Sequence, residues 1–355
     1  MCAAFFDERS GLYKQVGRMQ IMKKMLFIYN PNAGTGTLKP KLSDILDVFT
    51  KAGYEVTVYP TQKSHDGAEK MLSCPEGYDL IVCSGGDGTL DEVVTGMRMR
   101  SYQAPLGYIP AGTTNDFASS LGIPKDILAA ADTAVNGMPF PCDVGTFNDD
   151  YFIYIAAFGL FTDVSYETKQ SMKNILGHLA YVLEGAKRIF NIPSYKIRVT
   201  HDGEEIEDEF IYGMVTNSRS VGGFKGIIGT DVVFDDGEFE VTLIKTPKNP
   251  MELNDLLGAI MLKQINPDRM YSFKSGCVRF ESMEAIPWTL DGEYGGSHEE
   301  VTVRNNRQAL QIMVKQEVAA SYASINPPPV VRWLNCCKKI QKFEKSTCIL
   351  RMHMI

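Results

Sequence analysis

From Met22 to about Thr146 the chain alternates short apolar runs with amphipathic stretches, and turn residues mark most changes of rhythm. MLFIYN (Met25–Asn30) is an apolar run closed by turn formers. In the stretch after it, Leu42, Ile45, Leu46 and Phe49 recur at helical spacing on one face, with Gly53 as the stop. YEVTVY (Tyr54–Tyr59) alternates as a strand does, and DLIVCS (Asp79–Ser84) is a further run, followed by a glycine turn and the helical LDEVVTGM. PLGYIP supplies a fourth strand, after which NDFASSLG opens a short helix with Asn115 or Asp116 at its start. Strands alternating with helices predict right-handed βαβ units on a parallel sheet.

Beyond Thr146 the rhythm changes. One amphipathic helix is expected over Ile175–Phe190, where Leu176, Leu179, Leu183, Ala186 and Phe190 share a face. YKIRVTHDGEEIEDEFIYGMVTNS then reads as strands, the first two joined at Asp202–Gly203, a hairpin signal. EFEVTLI and VRFES continue the β pattern, with MELNDLLGAIMLKQ between them as a helix. The expectation is an α/β nucleotide-binding catalytic domain over 22–145 and a mainly antiparallel β-rich domain over 146–316. The last strand of the second has the option of returning to the first, and 1–21 and 317–355 are left as unassigned tails.

Composition narrows the class. A chain of 355 residues that is 44% hydrophobic can build two cores. A net charge of −7 argues against nucleic acid as partner, since neutralising phosphates needs clustered Lys and Arg. The eight cysteines form no C-x-x-C pair and follow no histidine spacing, which points to a reducing cytosol rather than a zinc site or a disulfide framework. The longest apolar run, Tyr151–Phe161, is too short to span a bilayer, and the N-terminus lacks the sustained apolar stretch of a signal peptide. The chain is therefore expected in the cytoplasm, reaching any membrane from the side.

Candidate chemistry collects where the predicted strands end. Gly85-Gly86-Asp87-Gly88-Thr89 follows a strand and precedes a helix. Glycines let a backbone approach phosphate closely, the helix N-terminus offers unpaired N–H donors, and Asp87 suits Mg2+. The competing reading is a strand–helix turn. Asn30-Pro31-Asn32-Ala33-Gly34 and Ala111-Gly112-Thr113-Thr114-Asn115-Asp116-Phe117 end the first and fourth strands, on the edge of a parallel sheet where ligands bind. Taken singly they also read as a loop and a helix cap. In the β half, Asp235-Asp236-Gly237-Glu238 and Asp291-Gly292-Glu293 are plausible turns, and the second also offers a carboxylate to deprotonate an alcohol. No G-x-x-x-x-G-K-[ST] phosphate loop is present, so glycine amides and Mg2+ would have to take its part.

The order NPNAG, GGDGT, IPAGTTNDFA, CDVG, FDDGEF, LDGE resembles the soluble bacterial diacylglycerol kinase catalytic-domain family, relatives of sphingosine and ceramide kinases, from about Lys24 to Val314. The resemblance implies a Rossmann-type domain like that of NAD kinase and phosphofructokinase, a C-terminal β-sandwich, and an active site between them. It implies ATP at Asn30, Pro31, Asn32, Ala33, Gly34, Thr61, Gly85, Gly86, Asp87, Gly88, Thr89, Leu90, Asp91 and Thr113. It makes Glu293 the general base, with Asp291 its rival, and Asp87 and Asp116 essential carboxylates. Asp143 matches an acidic residue of a metal-linked network, and Asp236 the side-chain ligand of a structural Mg2+ flanked by the carbonyls of Val233 and Glu238. At Asp91 the family often has Asn. The expected activity is transfer of the γ-phosphate of ATP to a lipid hydroxyl, diacylglycerol leading, at the membrane surface, with a homodimer a further expectation. The alternatives are a kinase for a soluble substrate such as NAD, and a non-catalytic nucleotide- or lipid-sensing module.

Overall fold

The computed structural model describes residues 22–34, 36, 38–159, 193–221, 224–225, 232–262 and 266–325. The helix expected over Ile175–Phe190 and the ends of the chain lie outside these residues. The first half follows the alternation of its sequence: β1 (Lys23–Tyr29), α1 (Leu42–Lys51), β2 (Tyr54–Pro60), α2 (Asp66–Ser73), β3 (Leu80–Gly85), α3 (Asp87–Met99), β4 (Leu106–Pro110), α4 (Asp116–Ser120) and α5 (Ile127–Asn136). The helices α2 and α5 were not read from the sequence. The second is small and nearly all alanine and aliphatic, but its start is fixed by Asp126, whose carboxylate accepts the amides of Leu128 and Ala129.

The four strands pair in parallel in the order β2-β1-β3-β4. Because the chain moves one way from β1 to β2 and the other way thereafter, right-handed crossovers put α1 on one face of the sheet and both α2 and α3 on the other. Accordingly α1 packs with α5, and α2 with α3. The central strands β3 and β4 are buried on both faces along their whole length and β1 over Met25–Ile28, which is why they read as continuous apolar runs, whereas the edge strand β2 is mostly exposed or half-buried.

The second half comprises β5 (Met138–Phe147), β6 (Asp150–Phe152), β7 (Ile155–Gly159), β8 (Tyr195–His201), β9 (Glu204–Thr216), β10 (Ser220–Val221), β11 (Phe224–Lys225), β12 (Phe239–Lys245), α6 (Pro250–Met261), β13 (Met270–Ser275), β14 (Cys277–Leu290), β15 (Glu293–Val314) and α7 (Gln316–Ile325). Its described pairings are antiparallel, including the β8–β9 hairpin at Asp202–Gly203, where both residues have positive φ. The division expected at 145/146 falls within β5. The segment after 316 begins with α7, which the sequence reading left without structure; Tyr322 of this helix is buried against Phe140 and Phe234.

One strand joins the halves. β15 pairs with β14 and β5 and then, at Ile312, lies parallel beside Leu106 of β4, so that a single 13-stranded sheet runs through the molecule. To make that passage β15 breaks register between Asn306 and Leu310, with Gln308 at φ 53°. Asp143 holds the break: one carboxylate oxygen accepts the Gln308 amide at 2.7 Å and the other the Gly237 amide at 2.7 Å.

A second core lies within the β half, centred on Trp288, which is 1% exposed and stacks edge-on or tilted against Phe147, Phe158 and Phe280. Truncating an aromatic in such a cluster leaves a cavity that the rigid strands cannot close. Trp288→Ala is expected to lower the free energy of unfolding by about 3–5 kcal/mol in denaturant titrations; a loss below about 1 kcal/mol would mean the cluster is not load-carrying.

Candidate active site

The carboxyl ends of the four parallel strands are drawn together by backbone hydrogen bonds. The Asn30 amide donates to the Ser84 carbonyl (2.8 Å), Thr61 to Tyr29 (2.9 Å), and Ala111 and Gly112 both to the Gly85 carbonyl (2.7 and 3.2 Å). Three side chains brace these loops. Asn115 sits in the left-handed region at φ 52°, which Asn tolerates, and its amide group closes on Gly112, accepting from N at 3.0 Å and donating to O at 2.9 Å. Asp66 accepts Tyr59 Oη and the Gln62 amide, while Glu92 accepts the His65 and Gly67 amides. The sequence reading gave Asn115 as a helix start and missed Asp66 and Glu92. Asp66, at the start of an unrecognised eight-residue helix, carried the only legible signal, an acid where a helix begins.

These loops line a cleft of about 660 Å³ whose opposite wall comes from the β half. Of the expected residues the cleft gathers Asn30, Asn32, Ala33, Gly34, Thr61, Gly86, Asp87, Gly88, Thr89, Thr113, Asp116 and Glu293. Gly34, at φ +56°, is packed so closely on the Ala111 carbonyl that any side chain would collide with it. Gly86 differs: its φ is −83°, a Cβ there would meet nothing nearer than Gly112 Cα at 3.5 Å, and it faces open cleft. No side chain caps α3, so its first amides are left for a ligand, and an anion is what a helix N-terminus accepts.

Other expected residues do not line the cleft. Leu90 is wholly buried in the hydrophobic core, because the helical period turns it inward one step after Thr89. Pro31 and Gly85 shape the loops without lining the cleft. Asp91 points away and hydrogen-bonds Asp291. Asp143 and Asp236 lie together outside the cleft. Asp236 accepts the Glu238 amide at 3.0 Å and stands 3.7 Å from Lys274 Nζ, which is 2.9 Å from Glu240. The Asp236 turn, with Val233 just before it, thus has a lysine ammonium beside it, which it shares with Glu240. Among the described residues no three His, Cys, Asp or Glu side chains converge as a metal cluster.

The cleft is acidic. Asp87, Glu92, Asp116, Asp291 and Glu293 line it against a single lysine, Lys63, itself paired with Glu69 at 2.8 Å. Burial, with Asp116 adding to it, pushes the Asp87 carboxyl up to about 7. One of its oxygens accepts the Asp116 amide at 3.2 Å, while Oδ1 is buried without a hydrogen-bond partner. An orphaned carboxylate oxygen at a helix start, held in an acidic cleft, fits a hard divalent cation, which would supply the charge it lacks. Glu293 is exposed to the cleft on the other wall, and its Oε1 lies 3.5 Å from where a Cβ on Gly88 would be. Asp291, two residues earlier, is 4% exposed, and its carboxylate is taken up by the amides of Ile153, Tyr154 and Ile155 at 2.6–2.9 Å. Of the two candidate bases only Glu293 has a carboxylate free of backbone donors.

Residues 24–147 match the family model described as the diacylglycerol kinase catalytic domain, and residues 157–314 the YegS C-terminal NAD kinase beta sandwich-like domain. A diacylglycerol kinase of Bacillus subtilis is 37% identical over 278 residues, covering 78% of this chain and 91% of that protein. The chain belongs to the diacylglycerol kinase family. A diacylglycerol kinase of Staphylococcus carnosus is 33% identical over 83% of this chain and 96% of that protein. The crystal structure of a diacylglycerol kinase from Bacillus anthracis superposes with a TM-score of 0.70 at 26% identity, covering 83% of this chain and 98% of that one. By family this diacylglycerol kinase homologue is a lipid kinase enzyme. Among its described residues no helix is long and apolar enough to cross a membrane.

The raised Asp87 carboxyl makes a prediction about stability. A group with a folded pKa near 7 and an unfolded value near 3.8 contributes stability that is complete below about 3.8 and lost as pH rises through about 7. Asp87→Asn keeps an oxygen for the Asp116 amide and removes the buried charge. Without nucleotide and in chelator, the variant is expected to melt higher than wild type at pH 8, with the gap closing toward pH 4. Equal melting temperatures at both ends of that range would show that Asp87 is not desolvated.

Proposed function

We propose that this protein transfers the γ-phosphate of ATP to the free hydroxyl of diacylglycerol, giving phosphatidic acid, and that it meets its substrate at the membrane surface without crossing it. The observation that carries the reading is the placing of the Glu293 carboxylate opposite the Gly86–Gly88 turn at the start of α3. A phosphate bound on the α3 amides would lie between that turn and an acceptor hydroxyl presented to Glu293. The names of the relatives supply the acceptor. The wall beside Glu293 is formed by Tyr154, Ile155, Ala157 and Tyr212, apolar or aromatic surface suited to an acyl-glycerol rather than to a second nucleotide.

Mg2+ held by Asp87, with Asp116 beside it, would supply the charge that lets triphosphate enter an acidic cleft. The protein's own residues do the rest. Gly86 and Gly88 admit the phosphates to the α3 amides. Asn30, which reaches Thr89 Oγ1 at 3.4 Å, and the exposed Thr113 border the same space. Glu293 takes the hydroxyl proton as the oxygen attacks in line with the departing ADP oxygen.

Labelled ATP offered with Mg2+ to diacylglycerol micelles, and separately to NAD, tests the reading directly. Label is expected in the lipid; label in NAD, or none in either, would replace this reading by a soluble-substrate kinase or a sensing module. Glu293→Gln preserves shape but accepts no proton, so turnover is expected to fall about 10²–10⁴-fold with ATP affinity little changed. Turnover within a few-fold of wild type would remove Glu293 from the mechanism. Gly86→Val fills cleft, not core. It is expected to weaken ATP binding at least about tenfold while the melting temperature stays near that of wild type.

A further inference from the structure

We propose that Asp91 is a positioning residue for the general base, tying the helix that carries the phosphate turn to the hairpin that carries Glu293. The proposal rests on the functional reading above, in which Glu293 is the base. Its foundation is the way Asp291 is held. Asp291 and Gly292 form the two-residue turn between β14 and β15, with φ of +48° and +88° and Leu290 facing Glu293 across the ladder. The Asp291 carboxylate accepts the amides of Ile153 at 2.6 Å and of Tyr154 and Ile155 at 2.9 Å. Its backbone N–H donates to the Ile155 carbonyl at 2.9 Å, and its carbonyl accepts Tyr154 Oη at 3.2 Å. The turn is thereby fixed to the β6–β7 connection, and all of those bonds lie within the β half.

Asp91 supplies the bond from the other half. It lies one helical turn beyond Asp87 on α3, and its carboxyl is hydrogen-bonded to that of Asp291. Two carboxylates cannot share a hydrogen bond unless one carries a proton. Asp291, with three amide donors, is the better anion, so the proton resides on Asp91. Burial first, then Asp291, Asp150 and Glu92, push the Asp91 carboxyl well above the usual carboxylate range. Around Asp291 the further ionisable groups are Asp87 and Tyr154. No cation among these groups competes for the pair. Asp91 Oδ1 is buried without a hydrogen-bond partner, as expected of a carboxyl that points its one donor at Asp291. A contact with nucleotide, the role expected from the sequence, is not available to a side chain absent from the cleft lining.

Three full-length proteins test this. Asp91→Asn retains a donor to Asp291 and needs no proton; Asp91→Leu retains the volume and has no donor. In Asp91→Leu, kcat is expected to fall about ten- to a hundredfold, as for a reacting group displaced by a fraction of an ångström to an ångström. KM for ATP is expected to stay within about twofold. Asp91→Asn is expected to keep kcat within about threefold of wild type. Hydrogen–deuterium exchange over 291–295 reads the order of the turn without any turnover; faster exchange is expected in Asp91→Leu and wild-type exchange in Asp91→Asn. Wild-type kcat and exchange in Asp91→Leu, equal losses in both variants, or a KM effect as large as the kcat effect would each overturn the proposal. A wild-type protein inactive on lipid would sink the functional reading alone, because exchange still decides whether Asp91 orders the turn.

Discussion

The arrangement of the cleft depends on the continuity of β15. Its first residue is Glu293 and near its end Ile312 is laid against β4, so the cleft carboxylate and the parallel sheet are points on one strand. A strand is stiff only while its ladder is intact, and β15 breaks register against β5 between Asn306 and Leu310, besides the shifts in its ladder with β14. One oxygen of the Asp143 carboxylate takes the Gln308 amide at the bend, and the other takes the Gly237 amide of the turn before β12, tying the two segments together. The acidic residue of the CDVG segment thus acts at a distance from the cleft, on the geometry of the strand that delivers the base. Its burial is tolerable because its oxygens are satisfied by amides.

The cleft is built from charges that repel one another and the substrate alike. Among the described residues five carboxylates line the cleft, and the protein compensates them unequally. Glu92 and Asp291 are consumed by backbone amides, and burial raises the Asp91 carboxyl just behind the wall. Asp87 is left with a buried, unpartnered oxygen, which makes it the group whose charge is least compensated by the protein itself. A buried, uncompensated carboxylate costs stability, a common compromise between stability and function.

Much of this was legible in the sequence, for definite reasons. Parallel strands buried on both faces leave continuous apolar runs, and the loops after them carry glycines and acids, so the α/β half and most of the residues that line the cleft could be read. What could not be read was anything set by contact between distant segments. Asp91 lies in the same short segment as Asp87, and spacing alone cannot say that one turn of helix carries it out of the cleft to Asp291, 200 residues on. The resemblance already favoured Glu293 over Asp291, but the physical ground for it appears only when the amides of Ile153–Ile155 are seen to occupy Asp291. Lys274, against Asp236, gave no local signal because its partner is on another strand. The helix α7 lacked a clear apolar period, and what orders it is burial of Tyr322 against Phe140 and Phe234.

The parallel pairing of β15 with β4 also has a consequence for how the chain comes into being. When β1 to β4 have emerged from a ribosome, the outer edge of β4 has no neighbour, and its partner at Ile312 is some two hundred residues from being made. Exposed strand edges recruit other strands. During synthesis the α/β half therefore carries an open edge at β4 until nearly all of β15 has been translated. The strand that begins at Glu293 is also the strand that seals this edge, so one wall of the cleft and the closed sheet are completed in the same event.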